Sequence, residues 1–259
     1  MFFSYNYGTA PAPHFKTAVL IDGGFYRRRA TKLFGTKTPP QRAAEIYQYS
    51  MRHAYDRLSG TNSLFRIYYY DCPPSDKHVY HPLTKKSVNL GKSEQFKWMT
   101  DFLEELAYVP LVAIRRGETL ETQSNYTLNP KLLRKLCSKE ISVEDLTEED
   151  FNLAITQKGV DMRLGLDIAS LSANKTVDRI VVISADSDLL PAAKLARRNG
   201  VEFILDNLQS PITPKFNEHA DVVGSVFLMS GKEDRLHIDN LENDPNINAY
   251  AKNIDPPLL

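Results

Sequence analysis

Two aspartates separated by one residue directly follow an apolar run, and this arrangement could do carboxylate-based chemistry. The run from Ile180 to Ile183 is entirely β-branched, which is typical of a strand covered on both faces in a parallel sheet. Asp186 and Asp188 come after its carboxyl end, where open α/β sheets bind their ligands. The alternative is that either aspartate only caps the helix that follows.

Two further elements bring acids to the same edge. The apolar run Thr17 to Ile21 ends in Asp22, and the two glycines after it permit a tight turn and close approach of a ligand. Asp161 occupies the first turn of a predicted helix, three residues before Leu164 on its apolar stripe. That spacing predicts a buried Asp161, which would need a cation or hydrogen-bond donors.

Four converging carboxylates would repel one another, and a divalent cation would relieve this. Mg²⁺ and Mn²⁺ prefer oxygen ligands, activate water and stabilise the charge of phosphoryl transfer. The two cysteines, Cys72 and Cys137, lack the spacing of a zinc site, and His78 and His81 have no other ligand nearby in sequence. The glycines fit neither a P-loop nor a dinucleotide fingerprint.

The elements that would position these acids are apolar strands alternating with amphipathic helices, which predicts an α/β domain with a mostly parallel central sheet. We expect it to span residues 16–229, with insertions near 72–92 and 117–151. Residues 1–15 are predicted to be a flexible lead-in and residues 230–259 a polar, disordered tail. The composition, 42% hydrophobic and 25% charged, is that of an ordinary soluble globular protein.

The formal net charge is zero, so binding of a polyanion would depend on a local basic patch. Segment 72–92 is basic and aromatic; it is either a plain surface loop, which we favour, or a contact for a polyanion. For the arginines after Asp22 a solvated helix face is favoured over phosphate contact. The candidates for substrate binding are Lys77, Lys85, Lys86, Arg27 and Arg28.

The N-terminus lacks the features of a signal peptide, and the apolar runs are too short to span a bilayer. We therefore expect a cytoplasmic protein without membrane contact. The sequence also allows for a homodimer.

Three motifs together resemble the NYN domain, in the LabA-like branch of the PIN-like nucleases. They run from Leu20 to Phe25, from Lys158 to Ile168 and from Val182 to Leu189. The resemblance implies a three-layer PIN-like fold and a metal-dependent endoribonuclease acting on RNA, taken to be single-stranded. It places four acids at catalytic, metal-binding positions: Asp22, Asp161, Asp186 and Asp188. It suggests supporting positions at Lys158, Asp167, Ser184 and Ser187, although a local ion pair with Arg163 is the alternative for Asp167.

One residue departs from the family pattern. Many relatives have Asn three residues after the first aspartate, where this chain has Phe25. This departure favours the alternative of a catalytically weak or inactive module that binds RNA or a partner. A second alternative is a Toprim-type phosphotransfer domain, which also carries Asp-x-Asp after a strand. That architecture has Glu after its first strand, where this chain has Asp22.

Overall fold

A computed structural model describes residues 16–56, 61–119, 125–154 and 157–225. The predicted lead-in (1–15) and tail (230–259) lie outside these ranges. The strands are β1 (Thr17–Asp22), β2 (Tyr55–Asp56), β3 (Thr61–Asn62), β4 (Leu64–Asp71), β5 (His78–Tyr80), β6 (Ser87–Asn89), β7 (Val112–Arg116), β8 (Glu118–Thr119), β9 (Asn125–Leu128), β10 (Phe151–Ala154), β11 (Gln157–Lys158), β12 (Arg179–Ile183), β13 (Glu202–Asp206) and β14 (Val222–Val223). The α-helices are α1 (Gly23–Phe34), α2 (Pro39–Ala54), α3 (Glu94–Tyr108), α4 (Pro130–Cys137), α5 (Val160–Ala173), α6 (Leu190–Arg198) and α7 (Phe216–His219).

Six strands form one parallel sheet in the order β14-β13-β12-β1-β4-β7. The chain first builds the sheet outward from β1 through β4 to β7, and then returns to the other side of β1 to add β12, β13 and β14. Strand order therefore reverses between β1 and β12, which is where open α/β sheets bind ligands. The predicted α/β fold with a mostly parallel sheet is confirmed.

Helices cover both faces of the sheet and give three layers. In β1 alternate residues point to opposite faces: Val19 and Ile21 join a core cluster that includes residues of α1, α2 and α3, whereas Ala18 and Leu20 join a cluster with α5, α6 and α7. All four are fully buried. This arrangement explains why the strand has no polar alternation.

The two predicted insertions both leave the sheet at its carboxyl edge. Residues 72–92 contain the antiparallel hairpin β5–β6. After β7 the chain runs outward through β8 and β9, forms α4, and returns through β10 and β11, which pair with β9 and β8 respectively. We call this excursion, residues 117–158 apart from the undescribed positions, the arm. It ends directly at the start of α5, and therefore at Asp161.

Among the helices in the described ranges, none is both long and apolar enough to cross a membrane.

Candidate active site

Asp22 and Asp186 reach the same edge because their strands are neighbours. β1 and β12 pair in parallel with Ile21 opposite Ile183. The next residues are Asp22, at the end of β1, and Ser184, directly after β12. The Ser184 hydroxyl lies 3.4 Å from Asp22 Oδ2, and its oxygen accepts the backbone N–H of Asp186 at 3.2 Å. Ser184 thus joins the two aspartates at the point where strand order reverses.

Asp22 caps α1 and also faces the other acids. Its Oδ1 accepts the Phe25 N–H at 3.0 Å, which satisfies a free donor of the first helical turn. Burial raises the pKa of Asp22, and the negative charge of Asp186 raises it further. The Phe25 N–H, the charge of Arg28 and the Ser184 hydroxyl oppose this rise in pKa. Asp22 therefore caps a helix, as the alternative interpretation of such aspartates holds, and it still lies close to the other acids.

Asp186 caps the turn that leads into α6. Its Oδ1 accepts the backbone N–H of Asp188 at 2.9 Å, and residues Ser187–Leu189 form one turn of 3₁₀ helix. Asp186 is half-buried, whereas Ser187 and Asp188 are exposed. The turn therefore places one half-buried and one exposed carboxylate at the same edge of the sheet.

Asp161 lies in the first turn of α5, after Gly159 with φ +82°. The prediction that Asp161 is buried is wrong: Leu164 and Ile168 on the same stripe are buried, but Asp161 is exposed. The reason is position along the helix, since the first turn of α5 lies at the sheet edge, where the strands no longer cover it. Its carboxyl group is still partly enclosed, and this desolvation is the largest cause of a raised pKa at Asp161.

The pKa of Asp161 also reflects the charges of the other three predicted acids. After desolvation, the charges of Asp186, Asp22 and Asp188, in that order, raise the pKa of Asp161. A cation bound among these like charges would offset their effect on Asp161.

The donor set fits a hard divalent cation in kind, because carboxylate oxygens are the ligands that Mg²⁺ and Mn²⁺ prefer. Within the ranges described, no three or more His, Cys, Asp or Glu side chains lie close enough to hold a metal ion as they stand. The candidates to hold one are the four predicted acids, whose carboxylates would have to come closer together to do so.

Two more aspartates, Asp71 and Asp206, end strands at this edge. The sequence pattern alone does not distinguish them from the four predicted site acids. Asp71 ends β4 and is 2% exposed; it forms an ion pair with Arg27, and it accepts the Tyr69 hydroxyl at 3.1 Å. Asp206 ends β13 and is fully buried, with His53 Nε2 at 2.9 Å.

Both aspartates therefore have a partner from a helix: Arg27 in α1 for Asp71, and His53 in α2 for Asp206. Spacing within the sequence carries no signal for such partners, since Arg27 and His53 lie 44 and 153 residues from the aspartates they meet.

Asp167 belongs to a different contact. Its Oδ2 accepts the Tyr70 hydroxyl at 2.7 Å and Arg115 Nε at 2.9 Å. Arg115 also lies over the ring of Tyr68, 5.1 Å from its centroid. Asp167 thus ties α5 to β4 and β7, two contacts that the sequence did not predict.

The predicted cations lie in different settings. The Arg27 guanidinium pairs with Asp71 and donates to the Tyr69 hydroxyl at 3.2 Å, so it holds α1 against β4. Arg28 is exposed and close enough to Asp22 to lower its pKa. Lys85 and Lys86 are exposed between β5 and β6, and Lys77 is half-buried just before β5. For Lys158, in β11, only the backbone lies within the described part of the structure.

Comparison with known proteins gives one family and one solved structure. Residues 113–221 match the family model of the NYN domain, a range that includes Asp161, Asp167, Asp186 and Asp188 but not Asp22. A crystal structure of a protein of unknown function from Vibrio parahaemolyticus is similar with a TM-score of 0.41 and 11% identity, over 83% of this chain and 95% of that one. No curated protein matches. The family match supports an NYN domain protein, and the six-stranded parallel sheet between helical layers is consistent with the PIN-like NYN fold.

Proposed function

We propose that this chain is a metal-dependent endoribonuclease of the LabA-like branch, which hydrolyses phosphodiesters of single-stranded RNA at the carboxyl edge of the sheet. The observation that carries the proposal is the meeting of acids where strand order reverses: the Ser184 hydroxyl lies 3.4 Å from Asp22 Oδ2 and accepts the Asp186 N–H at 3.2 Å. The charges of Asp186, Asp22 and Asp188 also raise the pKa of Asp161. Such a cluster is costly for folding unless a cation binds it. The family match supports the nuclease class.

In this proposal Asp22 and Asp186 hold Mg²⁺ or Mn²⁺, because they are the two half-buried acids of the set and lie at the ends of the neighbouring strands β1 and β12. A bound cation of this kind lowers the pKa of water and neutralises charge that develops on phosphate. Ser184 positions both aspartates through its hydroxyl, at 3.4 Å from Asp22 Oδ2 and 3.2 Å from the Asp186 nitrogen.

Asp161 and Asp188 lie at the rim, where both are exposed. They complete the cation's oxygen ligands or orient the attacking water.

One observation favours a second function, an RNA-binding or regulatory module with little or no cleavage. Phe25 is 8% exposed and belongs to the core cluster beneath α1, so its side chain offers no polar group where many relatives have Asn. The Phe25 backbone N–H still donates to Asp22 Oδ1, so the start of α1 is capped although the side-chain amide is missing.

Direct assay of RNA cleavage separates the two functions. We expect the full chain to cut an unstructured RNA in Mg²⁺ or Mn²⁺ and to stop when EDTA is added. RNA that is bound but left intact in both metals would support the binding module instead. A matched preparation of Asp186→Asn guards against a contaminating nuclease, since a contaminant would survive the substitution.

A further inference from the structure

The β5–β6 hairpin (residues 78–89) has one face packed against the arm. Val79 is 3% exposed and His81 is 1% exposed. The His81 ring lies 4.4 Å from the ring of Tyr126 in β9 and 5.0 Å from that of Phe151 in β10, measured between centroids. The hairpin is therefore held on a second layer and is not a free loop.

The other face presents an aromatic ring to solvent. Successive residues of a strand point to opposite sides, so His78 and Tyr80 lie opposite Val79, and both are exposed. The exposed fraction of Tyr80 is 59%, large for a side chain of this size. Packing of the domain does not account for this ring.

The charged residues within the hairpin segment are all basic, and Asp76 and Glu94 flank the segment in sequence. The exposed Lys85 and Lys86 lie in the turn between the two strands. The sequence from Lys77 to Ser93 contains four lysines and no Asp or Glu. Because the net charge of the chain is zero, attraction of a polyanion depends on local basic surfaces, and these lysines provide one.

Lys85 occupies its turn position at a conformational cost. Its φ is +57°, in the left-handed region where glycine and asparagine are the usual residues. Glycine would adopt this backbone conformation at lower cost, so lysine at position 85 lowers local stability relative to glycine.

From these observations we infer that the exposed face of the hairpin binds single-stranded RNA, with a base stacked on Tyr80 and phosphates contacted by Lys85 and Lys86. Stacking on exposed aromatic rings beside cations is how proteins bind single strands without reading sequence. The inference rests on the proposed function for the identity of the nucleic acid. His78 follows Asp71, the end of β4, by only seven positions, so the hairpin starts within about 25 Å of the acid edge.

The test of stacking is the affinity of the full chain for a labelled, unstructured RNA, measured by fluorescence anisotropy in EDTA. We expect Tyr80→Ala to weaken binding about tenfold and Tyr80→Phe to retain it, because the ring is what stacks. Tyr108→Ala is the matched control: Tyr108 is 81% exposed but ends α3, at the opposite edge of the sheet. It should bind as the wild type does.

The test of phosphate contact uses substitutions that separate binding from stability. Lys85→Gly should leave the melting temperature unchanged or raise it, yet weaken RNA binding and reduce the slope of log affinity against log salt by about 0.7. Lys175 is also exposed with positive φ (+49°), after α5 and away from the acid edge. Lys175→Gly should therefore match it in stability and leave RNA affinity unchanged.

Unchanged affinity in Tyr80→Ala, or an equal loss in Tyr108→Ala, would overturn the inference. Because binding is measured in EDTA, its outcome is independent of cleavage. A protein that binds through Tyr80 but never cuts would support the hairpin surface and contradict the nuclease proposal. A protein that cuts, but binds equally well without Tyr80, would contradict the hairpin surface alone.

Discussion

The hydroxyl of Ser184 lies 3.4 Å from Oδ2 of Asp22, across two neighbouring strands that are 162 residues apart in sequence. The same oxygen accepts the N–H of Asp186, so one side chain links the two acids proposed to hold the cation. The hydroxyl favours the charged form of Asp22 and lowers its pKa, against the larger effect of burial.

Replacing Ser184 by Ala should therefore raise the pKa of Asp22 further. We expect the acidic limb of the pH profile for RNA cleavage to move to higher pH, because more alkaline conditions are then needed to ionise Asp22. The expected loss of stability is about 1 kcal/mol, the usual worth of one hydrogen bond. Ser170→Ala, at an exposed position on α5, is the control and should leave the profile in place. A profile that does not move in Ser184→Ala would mean that this hydroxyl does not tune Asp22.

Asp161→Asn should stabilise the metal-free protein at neutral pH. The pKa of Asp161 is raised in the folded state, so its contribution to stability is greatest below the unfolded value, near 3.8, and is lost as pH rises through the folded pKa. Asparagine resembles the protonated acid and escapes this loss. The melting temperature of Asp161→Asn should exceed that of the wild type at pH 7, and the difference should shrink as pH falls toward 4.

Metal should reverse that ranking. Mg²⁺ or Mn²⁺ binds the folded state, so it should raise the melting temperature of the wild type more than that of Asp161→Asn. If neither cation raises the wild-type melting temperature at millimolar concentration, and Asp161→Asn is no more stable at pH 7, the acids do not form one electrostatic cluster.

Gly23 follows Asp22 at a place where no side chain fits. A Cβ there would overlap Asp71 Oδ2 and would lie 2.6 Å from the Tyr69 hydroxyl, and these two buried groups are hydrogen-bonded to each other. Gly23→Ala should cost about 1–3 kcal/mol of stability and displace the start of α1, and with it Asp22.

Gly165 provides the contrast, because a Cβ at that position of α5 meets nothing within 4 Å. Gly165→Ala should stabilise the protein by about 0.5–1 kcal/mol, since alanine is the better helix former. Chemical denaturation of both variants checks the pair. Equal stabilities would show that the contact beneath Gly23 does not fix α1.

The sequence predicted the strand ends well and the partners of the acids poorly. Apolar runs that stop at a carboxylate located Asp22 and Asp186, because hydrophobic patterning specifies a buried parallel strand. The same pattern ends β4 at Asp71 and β13 at Asp206, and it could not show that Arg27 and His53 meet those acids.

Helical periodicity had a similar limit. It correctly identified the stripe through Leu164 and Ile168, but it wrongly extended burial to Asp161, where the helix passes beyond the strands. It also could not show that Asp167 meets Tyr70 and Arg115, which lie 97 and 52 residues away. Contacts between elements depend on tertiary packing, which local spacing does not encode.

The most direct test of the nuclease proposal is the cleavage rate of Asp186→Asn beside the wild type, in Mg²⁺ and Mn²⁺, on the same unstructured RNA. Asparagine preserves side-chain volume and can still accept the Asp188 N–H that Asp186 accepts at 2.9 Å, so the variant should fold normally. It removes one charged ligand, and we expect cleavage to fall at least about a hundredfold, since each 1.36 kcal/mol of lost transition-state stabilisation is tenfold in rate. A folded Asp186→Asn protein that cuts RNA at nearly the wild-type rate would contradict the assignment of this acid cluster as the active site.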